Sequence, residues 1–96
     1  MANLLEDAIE GLVVDEAEAD GWYVNKVKWL GRRGAPDRLF AKAGRVVLIE
    51  FKRPGKIGNT STGQNRELKL LKAAGVECHV IDNPLTAYRI LGIQRK

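Results

Sequence analysis

Three residues carry the chemistry this sequence could perform: Asp37, Glu50 and Lys52. Residues 37–42 and 45–52 each read as a short strand, with Ala43-Gly44 as a two-residue hairpin loop between them. With that loop, Lys42 pairs with Arg45, Ala41 with Val46, and the register runs outward to Asp37 opposite Glu50. Directly opposed residues of antiparallel strands share a face, with Cβ atoms ~5 Å apart. Two carboxylates that close repel one another unless a proton or a cation lies between them. The period of two puts Lys52 on the same face as Glu50. Two hard oxygen ligands beside an amine suit Mg²⁺ or Mn²⁺ and a water attacking a phosphodiester. The plainer reading is an ion pair at a strand end with Asp37 as a turn residue after Pro36, and a one-residue slip in the loop would favour it.

The elements that must position these groups are legible along the chain. Residues 2–20 read as a helix, with Leu5, Ile9, Leu12 and Val13 on one face and Gly21 at its stop. Residues 22–29, Trp-Tyr-Val-Asn-Lys-Val-Lys-Trp, have strand character. Residues 31–36 and 53–60 are loops rich in glycine, proline and basic side chains. Ser61 followed by Gln64 is a capping-box signature that opens a helix to about Ala74, stopped by Gly75. Residues 76–81 form a last strand, and Asn83-Pro84 caps a final helix to about Leu91. The order α-β-β-β-α-β-α predicts an α/β fold, a mixed sheet flanked by helices.

Composition narrows the function classes. The chain has 96 residues, enough for one small domain with a single core. No apolar run approaches the ~20 residues of a membrane span, and Met1 is followed by Ala-Asn-Leu-Leu-Glu-Asp rather than a basic and apolar leader. One cysteine and one histidine, Cys78 and His79, exclude an internal disulfide and a Cys/His zinc site. A reducing, cytoplasmic setting is expected. Residues 1–20 hold seven acids and no Lys or Arg; residues 21–96 hold all 16 basic residues against five acids, a local net charge of +11. Such a body favours a polyanionic partner, although basic residues also serve solubility.

Three segments carry a family likeness: Gly-Arg-Arg-Gly-Ala-Pro-Asp at 31–37, Val-Val-Leu-Ile-Glu-Phe-Lys at 46–52, and Gln64 at the start of the next helix, with Glu6 at a further acidic position. On these residues the chain resembles a stand-alone VRR-NUC domain of the PD-(D/E)xK (restriction endonuclease-like) nuclease superfamily. The resemblance covers nearly the whole chain and implies an αβββαβ core with an extra C-terminal helix. It implies that Asp37 and Glu50 hold Mg²⁺ or Mn²⁺ together with the backbone carbonyl of Phe51. Lys52 would orient or deprotonate the attacking water and offset transition-state charge, and Gln64 would help position that water. Glu6 would complete the acidic cluster, directly, through water, or at a second metal. The residues alone support Asp37, Glu50 and Lys52; Gln64 is equally explained by its capping box, and Glu6 by the macrodipole of its helix.

The resemblance further implies a structure-selective endonuclease acting on branched DNA such as Holliday junctions, as a homodimer, encoded by a bacterium or a phage. Arg32, Arg33, Arg38, Arg53 and Lys56 lie in or beside the two loops that border the acids and are expected to contact phosphates. Trp22, Tyr23 and Trp29 could stack on bases, but with six aromatics in the chain, core packing or a dimer contact is the better reading. The glycine spacing of residues 58–65 lacks the Lys and Ser/Thr of a phosphate-binding loop, so no nucleotide cofactor is expected. Two rivals remain at this stage: a non-catalytic basic nucleic-acid-binding module, and a sequence-specific restriction-type endonuclease, for which no recognition segment is left over.

Overall fold

A computed structural model describes residues 4–94; residues 2 and 3 of the expected first helix lie outside the described residues. Seven elements follow in the expected order: α1 (Leu4–Ala19), β1 (Tyr23–Lys26), β2 (Arg38–Lys42), β3 (Arg45–Phe51), α2 (Thr62–Ala73), β4 (Glu77–Ile81) and α3 (Pro84–Leu91). The sheet runs β1-β2-β3-β4, with the first three strands antiparallel and β4 parallel to β3. A parallel pair requires a crossover, and α2 supplies it.

The period-two alternation of β3 divides the molecule into two layers. Val47, Ile49 and Phe51 join Phe40 and Ile81 of the sheet in the larger core, against Ile9, Val13 and Ala17 of α1 and Ala87, Tyr88 and Leu91 of α3. Leu48 enters a smaller core with Leu68 of α2 and Cys78 of β4. Glu50 is in phase with Leu48, so the strand delivers its carboxyl to the α2 layer, at the end where β3 runs out.

The hairpin register is the one counted from its loop. Lys42 pairs with Arg45, and the ladder continues to Arg38 opposite Ile49, one step short of Asp37 and Glu50. Ala43 (φ 51°) and Gly44 (φ 82°) both take the positive φ that a type I′ turn requires.

Two expectations are corrected. The buried stripe of α1 is Ile9, Val13 and Ala17 at successive four-residue steps, while Leu5 and Leu12 are 60% and 53% exposed. The i+3 and i+4 options diverge by a flank of the helix, and packing on the sheet selects the i+4 flank, where Ala17 adds little bulk. The first strand is also shorter than residues 22–29. Lys26 is its last ladder residue, and after one more bond, Val27 N–H to the Asp37 carbonyl (3.1 Å), the neighbouring Pro36 has no N–H to extend the pairing.

Trp22 and Cys78 are buried. Arg45 lies over the Trp22 ring, 5.8 Å from its centroid, and forks onto Glu77 and the Ile90 carbonyl, tying β3, β4 and α3 together. His79 accompanies Glu77 (2.9 Å) on the other side of β4 from Cys78. Among the described residues no helix is long and apolar enough to cross a membrane.

Candidate active site

Asp37 is held by its backbone before its side chain is considered. Its N–H donates to the Ile49 carbonyl (3.1 Å) and its own carbonyl accepts from Val27 (3.1 Å), so it is clamped between β3 and the continuation of β1. Its carboxylate Oδ2 accepts from the Phe51 N–H at 2.8 Å. Burial pushes this carboxyl upward from its ordinary pKa, the Phe51 N–H opposes that shift, and the charge of Glu10 adds to it.

Glu50 is 3% exposed. Its Oε2 accepts from Gln64 Nε2 at 2.6 Å and lies 3.4 Å from Lys52 Nζ. Its Oε1 is buried without any partner among the described residues. Burial, reinforced by the negative charge of Asp37, raises the Glu50 pKa to about 7. The negative charge of Asp37 acting on Glu50 is the repulsion that the register predicts for two opposed acids.

Lys52 and Gln64 complete the cluster. Lys52 Nζ also lies 3.3 Å from Gln64 Oε1, and its side chain is 14% exposed. Gln64 closes the capping box of α2: its N–H donates to Ser61 Oγ (3.1 Å) and its Oε1 accepts from the Ser61 N–H (3.0 Å). One amide group thus fills both roles: its Nε2 serves Glu50, and its Oε1 serves both the cap and Lys52.

These side chains line an open cleft of about 350 Å³, together with Glu6, Arg53, Lys56 and Asn59. Burial raises the Glu6 pKa, Lys52 lowers it, and the charge of Asp37 raises it; its carboxyl therefore faces the same cluster from the first turn of α1. The five basic residues of the two loops separate. Arg53 and Lys56 line the cleft. Arg38 is turned onto Glu10 (2.6 Å) and Arg32 onto the buried Glu67 (2.6 Å), while Arg33 is exposed.

Sequence reasoning passed over four contributors. Glu10 lies one helical turn after Glu6, a spacing that could have flagged it. Asn59 belongs to a breaker-rich loop, and Glu67 pairs across 35 residues, so neither has a local signal. Gly34, at φ +92°, packs so tightly on α2 that a Cβ there would come within 2.3 Å of the Gly63 carbonyl oxygen. That contact fastens the loop leading to Asp37 onto the helix end that carries Gln64.

The donor set fits a hard divalent cation. Mg²⁺ is usually bound by one or two carboxylates and keeps several waters. Two opposed carboxyls, one with an orphaned buried oxygen, meet that requirement. Among the described residues no group of three His, Cys, Asp or Glu side chains is arranged to hold a metal, and Glu6 shares the cleft with the central pair.

No family model matches the chain. It is 37% identical over 84 residues to "Putative nuclease p44" of Acyrthosiphon pisum secondary endosymbiont phage 1, covering 86% of this chain and 88% of that protein. Its structure superimposes on a solved VRR_NUC domain with a TM-score of 0.79 at 22% identity, covering 94% of this chain and 97% of the other. The chain therefore has the fold of a VRR_NUC domain and belongs to the same family as this phage protein.

Proposed function

We propose that the protein is a divalent-metal-dependent endonuclease that hydrolyses phosphodiester bonds in branched DNA, four-way junctions above all. The observation that carries this reading is the convergence of Asp37, Glu50, Lys52 and Gln64 in one open cleft with free cations on its wall. Asp37 and Glu50 would hold Mg²⁺ or Mn²⁺ with the Phe51 carbonyl, and Glu6 would reach it directly or through water. When bound, the ion supplies a Lewis acid at a phosphate oxygen and a water of lowered pKa.

The chain's own groups do the rest. Lys52, beside Glu50, sets a positive charge where the phosphorane-like transition state gathers negative charge. Gln64 fixes Glu50 and Lys52 relative to one another, so the carboxylate and the ammonium need not reorganise during the reaction. Scale supports a homodimer: the longest extent, 38 Å, spans only about eleven base pairs at 3.4 Å per step, too little to enclose a four-way junction alone. Two copies related by a two-fold axis would set two clefts against the paired strands of a junction. The phage origin of the nuclease relative supports action in a bacterial host's cytoplasm.

The test is cleavage of labelled four-way junction, flap and linear duplex DNA in Mg²⁺, Mn²⁺ or EDTA. Metal-dependent nicking of the junction ahead of the duplex is expected. Preference for linear duplex would remove the junction role and keep the chemistry, whereas binding without cleavage in every metal would leave a nucleic-acid-binding module.

A further inference from the structure

The five basic residues that border the cleft differ in whether an acid already holds them. Arg38 is four-fifths buried and bonded to Glu10, and Arg32 is bonded to a Glu67 that is itself almost wholly buried. These two pairs join the 31–38 segment to α1 and α2 respectively. Arg53 and Lys56 form no ion pair with any described residue and line the cleft.

Their spacing comes from the backbone. The Lys56 N–H donates to the Arg53 carbonyl (3.1 Å) and the Asn59 N–H to the Lys56 carbonyl (3.0 Å), two consecutive turns of three-residue step. Residues 53, 56 and 59 therefore recur along one side of the loop, and all three face the cleft. Asp82, just after β4, pins the loop by accepting from the Gly55 N–H at 2.8 Å. Two cations and an amide along one side of a pinned loop are donors of the kind that contact the phosphates of a nucleic-acid backbone.

We infer that Arg53, Lys56 and Asn59 form the rail on which the substrate's phosphates lie, while Arg32 and Arg38 are struts held by Glu67 and Glu10 that position the Asp37 segment. This rests on the nuclease reading and assigns the side from which the strand enters the cleft. It divides the basic residues that the sequence treated alike, and it adds Asn59, Glu10 and Glu67.

The test is the salt dependence of binding to a labelled duplex oligonucleotide in EDTA, where nothing is cut. Each cation–phosphate contact contributes about −0.9 to the slope of log K against log salt. Arg53→Ala with Lys56→Ala is expected to flatten the slope by about 1.8. Asn59→Ala is expected to weaken binding at every salt with the slope unchanged. Arg32→Gln keeps an N–H donor for the buried Glu67 and is expected to keep the wild-type slope when binding is read below its own Tm, whatever the substitution costs in Tm. A wild-type slope in the double variant, or a flattened slope in Arg32→Gln, overturns the rail while leaving the nuclease reading intact. Absence of salt-dependent binding by the wild type also overturns the rail, and junction cleavage in Mg²⁺ then decides the nuclease reading separately.

Discussion

Gln64 donates Nε2 to Glu50 Oε2 at 2.6 Å while its Oε1 accepts from the Ser61 N–H that opens the same helix. One side chain therefore couples the fold of α2 to the geometry of the acid pair, and two substitutions separate the roles. Gln64→Glu keeps an acceptor for the cap but removes the donor to Glu50 and sets a negative charge against it. It should unfold at close to the wild-type temperature and lose about 10–100-fold in activity, the usual cost of losing a partner that orients a metal ligand. Gln64→Ala should lose both the activity and about 1 kcal/mol of stability. Thermal melts beside cleavage rates check this; full activity in Gln64→Glu would confine the residue to the cap.

The metal-free protein should become less stable as pH rises through neutrality. Glu50 titrates near 7 when folded, against an ordinary value of 4.5. Between those values the folded state binds more protons than the unfolded chain, so the stability present below 4.5 is lost as pH passes through about 7, by about 3 kcal/mol at most. Asp37 shifts in the same direction. Urea unfolding in EDTA at pH 5, 6, 7 and 8 should show the decline, and Glu50→Gln should flatten it. Mg²⁺ should stabilise more at pH 8 than at pH 5, because both ligands must lose protons to bind it.

The two glycines at the loop–helix contact should behave oppositely. A Cβ at Gly34 meets the Gly63 carbonyl oxygen at 2.3 Å on a backbone at φ +92°, whereas a Cβ at Gly63 makes only ordinary contacts, with the Arg33 Cβ at 3.8 Å and the Arg33 carbonyl carbon and Gly34 Cα at 3.9 Å. Gly34→Ala should cost about 3 kcal/mol, lowering Tm by about 10–20 °C. Gly63→Ala, in the first turn of α2, should be neutral or stabilising by up to ~1 kcal/mol. Differential scanning calorimetry of both variants distinguishes a specific contact from general intolerance of the region.

Ala43 holds a positive φ that a side chain makes costly. Ala43→Asn, a residue favoured in type I′ turns, should raise stability by about 0.5–1 kcal/mol without changing cleavage, since the turn lies at the far end of the hairpin from Glu50. A destabilised Ala43→Asn would contradict the turn geometry.

The parts of this site that could be read from the chain are those specified locally. A two-residue turn fixes register by counting, so Asp37 could be brought to Glu50 from Ala43-Gly44 alone. The Ser61–Gln64 spacing likewise fixes where α2 begins. The face of α1 was harder, because Leu5, Ile9, Leu12 and Val13 satisfy helical spacing equally well and only the sheet decides between flanks. The Arg38–Glu10 and Arg32–Glu67 pairs span 28 and 35 residues, and the Gly34–Gly63 contact joins a loop to the first turn of α2. Such contacts exist only once the layers are stacked, so the positions of the five basic residues in or beside the two loops gave no sign that Arg32 and Arg38 bond to acids of the same chain.

The central claim is that the Asp37–Glu50 pair is a metal-dependent hydrolytic centre. Cleavage of a labelled four-way junction by wild type and by Glu50→Gln, in Mg²⁺ and in EDTA, tests it most directly, with binding to the same junction measured alongside. The wild type should cut in Mg²⁺ and not in EDTA, and Glu50→Gln should bind normally while cutting slower by more than the roughly 100-fold expected for an outer partner. Wild-type cleavage that persists in EDTA, or a Glu50→Gln variant that cuts at the wild-type rate, would contradict the account.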